Sequence, residues 1–171
     1  MAVLEILHYP HPILKKKSQP IQKIDEAIHK LVGDMVETMY AAPGVGLAAP
    51  QVGQPLQLAV VDISRADQPK NPMVLINPEI VVTDGECTWE EGCLSVPDCI
   101  EEVKRSKKVV VRCQDLEGNP VEIAGEDLLA VALQHEIDHL NGILFIDRVS
   151  PLKRDLFRKK LKKENRERKK F

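Results

Sequence analysis

The sequence predicts an α+β fold of mostly antiparallel strands packed around a central buried helix, with one further helix near each end of the chain. The strand patterns are grouped between the helical patterns, without regular strand-helix-strand alternation. The helical pattern at residues 126–140 is apolar on two faces, which is typical of a helix inside a domain. A length of 171 residues suits one such domain with a tail.

The composition is that of an ordinary folded domain. Hydrophobic residues make up 43% of the chain and charged residues 29%. The longest uncharged run, residues 38–61, contains three prolines and three glycines and therefore cannot form one spanning helix. The N-terminus lacks the pattern of a secretory signal, and the four cysteines contain no CxxC pair. We therefore expect a cytoplasmic protein that does not contact membranes.

Charge divides the chain into two parts. Residues 151–171 hold 11 of the 24 basic residues and three of the 26 acidic ones, so this segment carries +8 and residues 1–150 carry −10. We predict a catalytic domain over residues 1–150 and a basic C-terminal helix or tail over residues 151–171.

The first helix is predicted at residues 24–40, where apolar residues recur at helical spacing until two alanines and Pro43 end the pattern. Residues 44–53, GVGLAAPQVG, hold too much glycine and proline for a regular element and are expected to form a structured loop. Residues 55–63 are apolar and rich in β-formers, which predicts a strand that follows this loop.

Four more short strands are predicted at residues 73–76, 79–83, 107–113 and 121–123. The last two are joined by Leu-Glu-Gly-Asn at residues 116–119, a hairpin signal. The central helix ends at Asn-Gly, a frequent helix terminator. A third helix begins at Ser-Pro, residues 150–151, where serine caps and proline takes the first helical position.

Residues 135–139 read HEIDH, an HExxH pattern. Histidines four residues apart lie on one face of a helix, close enough to bind one ion, and Glu136 places a carboxylate beside them. The central helix is therefore the predicted metal-binding helix, and this spacing favours hydrolysis. The competing interpretation is a pair of core histidines bound to carboxylates.

A catalytic site of this kind needs a third protein ligand and an open position for water. Cys93 is the best candidate, because a thiolate binds borderline-soft cations strongly and Gly92 lets its backbone approach closely. Phe145 occupies the position where metzincins carry their third histidine. The downstream glutamates of a thermolysin-like site would be Glu164 or Glu167, which lie in the basic segment.

The other cysteines are expected to be small core or strand residues. If one of them supplied a fourth ligand, the site would be a closed structural zinc site and the protein a binding module without catalysis. These residues are Cys87, Cys99 and Cys113.

Three segments carry a resemblance to a known family: GVGLAAPQVG at residues 44–53, EGCLSVP at residues 91–97 and QHEIDHLNG at residues 134–142. With these motifs in this order, the chain resembles the peptide deformylases over most of residues 6–150. The resemblance implies a hydrolase that removes the N-formyl group from the N-terminal formylmethionine of nascent polypeptides and releases formate. It also implies iron(II) as the metal, although zinc, nickel and cobalt suit the same ligands.

The resemblance also assigns roles to residues. Cys93, His135 and His139 would hold the metal, and Glu136 would act as general base and then as general acid. The side-chain amide of Gln51 and the backbone N–H of Leu94 would stabilise the negative oxygen that forms on the formyl group.

Substrate binding is predicted at the same place. In the family, the glycine-rich loop that holds Val45 and Gly46 pairs with the substrate as an added strand near Gly92. An apolar pocket for methionine is predicted from the helical wheel, on which three apolar residues precede His135 on its own face. The predicted walls are Leu128, Val131 and Ala132, with Val45 and Trp89 completing them; plain core packing is the alternative for these five.

Two further hypotheses concern charged groups. Asp138 lies on the polar strip of the central helix with Gln134, and Arg105 is its candidate partner. In the basic segment, a short apolar stripe is expected to dock on the body of the protein. That stripe consists of Leu152, Leu156, Phe157 and Leu161.

The basic segment has two interpretations. It is either a charged helix that keeps the protein soluble or a contact for ribosomal RNA phosphates near the exit tunnel. Stacking aromatics and base-reading motifs are missing, so sequence-specific recognition of nucleic acid is not expected. A monomer is expected. The alternative functions are an HExxH metalloprotease and a non-catalytic metal- or RNA-binding protein.

Overall fold

The computed structural model describes residues 2–169, so Met1 and the last two residues of the predicted basic segment lie outside it. The described part contains three α-helices and seven strands in two antiparallel sheets. This arrangement confirms the predicted α+β class. Within the described residues, no helix has both the length and the apolar character needed to cross a membrane.

The larger sheet has five strands in the order β1-β2-β3-β6-β7. The smaller sheet is the hairpin β4-β5. The strands are β1 (Gly46–Ala48), β2 (Leu58–Val61), β3 (Met73–Asp84), β4 (Cys87–Cys93), β5 (Val96–Arg105), β6 (Lys108–Gln114) and β7 (Pro120–Glu126).

Two helices pack against the larger sheet. Helix α1 (Glu26–Ala41) begins where the Asp25 side chain accepts a hydrogen bond from the backbone N–H of Ile28, and it matches the first predicted helix. Side chains of β2 alternate between two clusters: Leu58 and Val60 pack with α1, and Ala59 and Val61 pack with α2 (Leu128–Leu140). Helix α2 is therefore central and buried, as predicted.

The end of α2 requires a glycine. The backbone N–H of Ile143 returns to the carbonyl oxygen of Asp138, and Gly142 adopts a left-handed φ of 74°. A Cβ on Gly142 would also collide with the backbone of Lys15. The predicted stop at Asn-Gly is confirmed, and the close approach of the N-terminal segment is a second reason for glycine there.

Two predictions about the larger sheet are wrong in detail. Residues 44–53 are not wholly irregular, because they contain β1 and a 3₁₀ helix, Ala49–Val52. The strands predicted at residues 73–76 and 79–83 form one strand, β3, which is irregular at Asn77 (φ 52°). The Asn77 side chain compensates for this irregularity by bonding the backbone of Ile21 in both directions, at 2.8 Å each. The hairpin β6-β7 is confirmed.

The hairpin β4-β5 was not predicted. Its strands alternate charged and apolar residues only imperfectly, so they lack a clear period of two. Three buried side chains, Val96, Cys99 and Val103, attach it to Leu144 and Phe145 beyond α2. This packing brings the end of β4 close to the central helix.

Helix α3 (Pro151–Lys169) begins at the predicted Ser-Pro signal. It contacts the body through Phe157, whose ring lies 5.9 Å from that of Tyr9, and through Lys153, whose Nζ lies 3.1 Å from Glu101 Oε2. The predicted apolar stripe is wrong in part, because Leu152 and Leu156 are exposed. One aromatic contact and polar contacts, rather than a continuous apolar face, attach α3 to the body.

Candidate metal centre

The three predicted metal ligands meet at one point. Cys93 ends β4, whereas His135 and His139 lie on consecutive turns of α2. The Nε2 atom of His139 lies 3.3 Å from Cys93 Sγ and 3.2 Å from His135 Nε2, and the three ligand atoms all lie within 4.8 Å of one another. The structure thus brings together residues that are 46 positions apart.

These distances fit a shared ion. Nitrogen and sulfur ligands bound tetrahedrally at about 2.0–2.3 Å lie about 3.3–3.6 Å from each other. The surroundings also favour a cation. Burial would lower the pKa of His135, but hydrogen bonds to Cys93 and Glu91 outweigh it and raise that pKa well above its ordinary value. Burial lowers the pKa of His139, so this ring is held in the neutral form that metal ligation needs.

The described residues form a three-ligand group rather than a closed four-ligand site. Among them, no fourth ligand atom from a His, Cys, Asp or Glu side chain joins the group. As expected for core or strand residues, Cys99 and Cys113 are buried free thiols, and Cys87 is a half-buried one on β4. Phe145 is also buried, and its ring stacks 6.2 Å from His135.

A buried ionic network orients the ligands. His135 Nδ1 lies 2.9 Å from Glu91 Oε1, and Glu91 accepts two hydrogen bonds of 2.8 Å from Arg105. Burial opposes ionisation of Glu91, but the bonds to Arg105 and His135 outweigh it and lower the pKa from 4.5 to about 2. A permanently charged Glu91 therefore fixes the ring orientation of His135. The Nδ1 of His139 has no such partner within the described residues.

The proposed pair between Arg105 and Asp138 is confirmed, at 2.5 Å. Asp138 also accepts two hydrogen bonds from Arg148, at 2.5 and 2.7 Å. The predicted polar strip of α2 therefore does not face solvent at Gln134 and Asp138. Gln134 and Asp138 are both buried, and Gln134 bonds the backbone N–H and carbonyl of Ser106.

Glu136 is 3% exposed, and burial raises its pKa from 4.5 to about 7. Its carboxylate packs against β1 at Gly46. A Cβ built on Gly46 would lie 2.6 Å from Glu136 Oε2 and 2.8 Å from its carboxyl carbon. A side chain at this position would therefore force the Glu136 carboxylate to shift.

Gln51 lies on the 3₁₀ helix that follows β1, and its side chain is buried. Its Oε1 accepts a hydrogen bond of 2.9 Å from the backbone N–H of Ala48. Its Nε2 points to Ser95 Oγ at 3.1 Å and to Cys93 Sγ at 3.6 Å. The amide hydrogens of Gln51 are thus directed at the ligand cluster.

One cavity of about 540 Å³ opens onto this group. Its walls include every predicted site residue except His139, which is fully buried behind the other ligands. Among these walls, Val131 and Ala132 are buried, whereas Val45 and Leu128 are 48% and 39% exposed at the rim. The predicted residues in the walls are Val45, Gly46, Gln51, Trp89, Gly92, Cys93, Leu94, Leu128, Val131, Ala132, His135 and Glu136.

Sequence reasoning missed three contributors. Glu91 and Ser95 stand inside the second motif but were given no role, and Ile100 lines the cavity from a strand that was not predicted. The sequence signal that could have identified Glu91 as part of the site is its position two residues before Cys93. No sequence signal identifies Ile100, because its strand lacks a clear alternation of apolar and polar residues. Its side chain is 69% exposed.

An α+β domain whose central helix presents two histidines to a nearby thiol, beside a buried carboxylate in a cleft, defines a metallohydrolase. The profile of the polypeptide deformylase family matches residues 3–155. The chain belongs to this family.

Individual relatives agree. A peptide deformylase from Syntrophobacter fumaroxidans is 58% identical over 167 residues, which cover 98% of both chains. A crystal structure of a peptide deformylase from Legionella pneumophila superposes with a TM-score of 0.90 at 49% identity and covers 99% of both chains. One from Ehrlichia chaffeensis in complex with actinonin also has a TM-score of 0.90, at 40% identity, and covers 97% of this chain and 99% of its own.

The activity follows from the family. The chain is a metal-dependent hydrolase that removes the N-formyl group from the N-terminal formylmethionine of nascent polypeptides and releases formate. Neither a metalloprotease nor a non-catalytic zinc protein finds support among the relatives.

The contact between Gly46 and Glu136 leads to a first prediction. In Gly46→Ala the added methyl group displaces the carboxylate, and formate release from a formyl-methionyl peptide should fall by about a hundredfold. The measurement is kcat, accompanied by metal content and melting temperature. Wild-type kcat in a folded, metal-loaded Gly46→Ala protein would show that the carboxylate needs no such space.

Proposed function

We propose that Cys93, His135 and His139 hold the catalytic metal and leave one position open toward the cavity. Their mutual distances and the absence of a fourth ligand among the described residues support this assignment. When bound, the ion supplies Lewis acidity and a water of lowered pKa. Glu91 keeps His135 in place through the hydrogen bond to its Nδ1.

Glu136 is the proposed proton carrier. A carboxyl group with a pKa of about 7 is present in both protonation states near neutral pH. The carboxylate takes the proton of the attacking water, and the resulting acid delivers it to the amine nitrogen when the C–N bond breaks. Burial in a site that excludes solvent keeps this proton from being lost between the two steps.

Gln51 and Leu94 are the proposed donors to the formyl oxygen as negative charge grows on it. The amide of Gln51 is already oriented, because its Oε1 is held by the backbone of Ala48. Leu94 follows the cysteine ligand in the turn between β4 and β5 and lines the cavity. The Gln51 donor is held in place by the backbone of Ala48, and the Leu94 donor is itself a backbone group of the turn.

The peptide is proposed to bind along β1. This strand is the edge of the five-stranded sheet, so its outer side is free to pair with an extended peptide, and pairing through the backbone suits many sequences. Gly46 on β1, Val45 before it and Gly92 across the cavity would form this track. The proposed walls of the methionine pocket are Val131 and Ala132, with Trp89 and Leu128 toward the opening.

The convergence of the ligand cluster, Glu136 and Gln51 on one cavity carries this proposal. The decisive experiment measures formate released from a formyl-methionyl peptide by the wild type and by Glu136→Ala. We expect the loss of the proton carrier to lower kcat by about 10²–10⁴-fold while metal content is unchanged.

An unformylated peptide of the same sequence is the control, and we expect no cleavage of it. Near-normal formate release by Glu136→Ala would contradict the role of Glu136. Internal cleavage of the control peptide would instead favour the metalloprotease interpretation.

Iron(II) is the proposed metal, on the strength of the family resemblance. A thiolate with two imidazoles also binds zinc, nickel and cobalt. The ligand set by itself therefore fits any of these ions.

The iron proposal predicts that activity of protein purified without metal exchange decays in air and is retained under argon, because ferrous iron beside a thiolate is readily oxidised. Nickel-substituted protein should remain active in air. Equal and lasting activity of the zinc form would contradict iron as the preferred metal. Elemental analysis of each preparation, before and after exposure to air, provides the control.

Helix α3 is proposed to contact ribosomal RNA through phosphates, in a monomeric, cytoplasmic enzyme that acts as nascent chains emerge. Its described surface is strongly basic, and several lysines between positions 159 and 163 are exposed. A helix that only maintains solubility is the competing interpretation.

Ribosome co-sedimentation tests this contact. Replacing Lys159, Lys160, Lys162 and Lys163 by glutamine retains Phe157 and Lys153, which attach α3 to the body. We expect weaker co-sedimentation, a steep fall of wild-type binding with salt, and unchanged formate release from short peptides. Binding that is insensitive to salt, or equal in the variant, would contradict the proposal.

A further inference from the structure

Ser95 is a fully buried polar residue beside the proposed donor to the formyl oxygen. It lies in the turn between β4 and β5, two residues after Cys93. Its Oγ accepts a hydrogen bond of 3.1 Å from Gln51 Nε2. The roles proposed above make no use of this hydroxyl group.

The hydrogen bonds of Gln51 define which way its amide faces. The backbone N–H of Ala48 needs an acceptor, so Oε1 must face it and the NH₂ group must face the opposite side. That group carries two hydrogens. One is bound by Ser95 Oγ, and the other points toward Cys93 Sγ at 3.6 Å, at the edge of the ligand cluster.

Backbone hydrogen bonds from the N-terminal segment hold Gln51 and Ser95 in place. Two alternate residues of the N-terminal segment donate to the two motifs: Leu7 N–H to the carbonyl of Gln51 at 2.7 Å, and Tyr9 N–H to the carbonyl of Ser95 at 2.8 Å. The segment thus ties the 3₁₀ helix to the β4-β5 turn. Within this frame, rotation about the last side-chain torsion of Gln51 is limited by the hydrogen bonds at the two ends of its amide, to Ala48 and to Ser95, and such torsions otherwise have broad energy wells.

We propose that Ser95 is a positioning residue for the reaction, which holds one amide hydrogen of Gln51 so that the other stays aimed at the formyl oxygen. This inference rests on the proposed role of Gln51 as a donor. Preorganisation matters because an oriented donor stabilises charge in the transition state without having to reorient when the charge appears. Loss of the Ser95 hydroxyl lets the amide rotate away from this direction.

The test is a double-mutant cycle with Ser95→Ala and Gln51→Ala in the full-length enzyme, using kcat and KM for a formyl-methionyl peptide. We expect Gln51→Ala alone to lower kcat by about a hundredfold or more and Ser95→Ala alone by about tenfold, with little change in KM. In the Gln51→Ala background, the loss of Ser95 should change kcat by less than about twofold, because Ser95 acts through Gln51.

Ser18→Ala is the matched control. Ser18 is also buried, and its hydroxyl has no hydrogen-bond partner within the described residues. We expect its removal to leave kcat unchanged. Metal content and melting temperature are measured for every variant, so that a general loss of structure is recognised.

A direct readout complements the kinetics. In ¹⁵N-labelled, zinc-loaded protein, the side-chain amide signals of Gln51 are identified by their loss in Gln51→Ala. We expect these signals to broaden and to exchange faster with solvent in Ser95→Ala, and to be unchanged in Ser18→Ala.

The outcomes separate the two proposals. If Gln51→Ala retains full kcat, the role of Gln51 itself is wrong. If Gln51→Ala is impaired but Ser95→Ala is as active as the wild type, the positioning role alone is overturned. A tenfold loss from Ser95→Ala in both backgrounds, or a change confined to KM or to melting temperature, also overturns it, because the effect would then not pass through the amide.

Discussion

The buried guanidinium of Arg105 joins the two elements that form the candidate metal centre. It binds Glu91 on β4 through two hydrogen bonds and Asp138 on α2 through a third. Burying charges is costly, and this network is favourable only because each charge meets a partner of opposite sign. Because Glu91 also binds His135, the contact that docks β4 on α2 orients a ligand as well. The distance between Cys93 and the histidines therefore depends on the same ion pairs that hold the hairpin in place.

A second constraint is the lack of a side chain at Gly46. The carboxylate of Glu136 lies where a Cβ on Gly46 would stand, so β1 covers this carboxylate with bare backbone. The same strand is the free edge of the sheet, where an extended peptide can pair. One short strand thus helps to bury Glu136, whose pKa is raised by burial to about 7, and leaves a sheet edge beside it.

Much of the fold was predictable where the pattern was local. Helix α1, helix α2 and the hairpin β6-β7 follow from apolar periodicity, capping residues and a turn signal, all within a few positions. The hairpin β4-β5 was not predicted, because charged residues interrupt the alternation of its strands and two of them, Glu91 and Arg105, are buried. The sequence offered Arg105 as a partner of Asp138, but its second partner, Glu91, was found only in the folded structure. The exposure of Leu152 and Leu156 likewise depends on how α3 meets the body.

The sequence by itself placed two candidate metal ligands and a carboxylate on one helix. Two histidines four residues apart share a helix face whatever the rest of the fold does, and the adjacent glutamate follows from the same geometry. The tertiary structure alone decided which polar groups meet these residues, with Glu91 at His135 and Ser95 at Gln51, and that Val45 and Leu128 line the cavity with partly exposed side chains. The physical reason is range: helical spacing is set by neighbouring peptide units, whereas burial and hydrogen-bond partners are set by segments that meet only when the chain is folded.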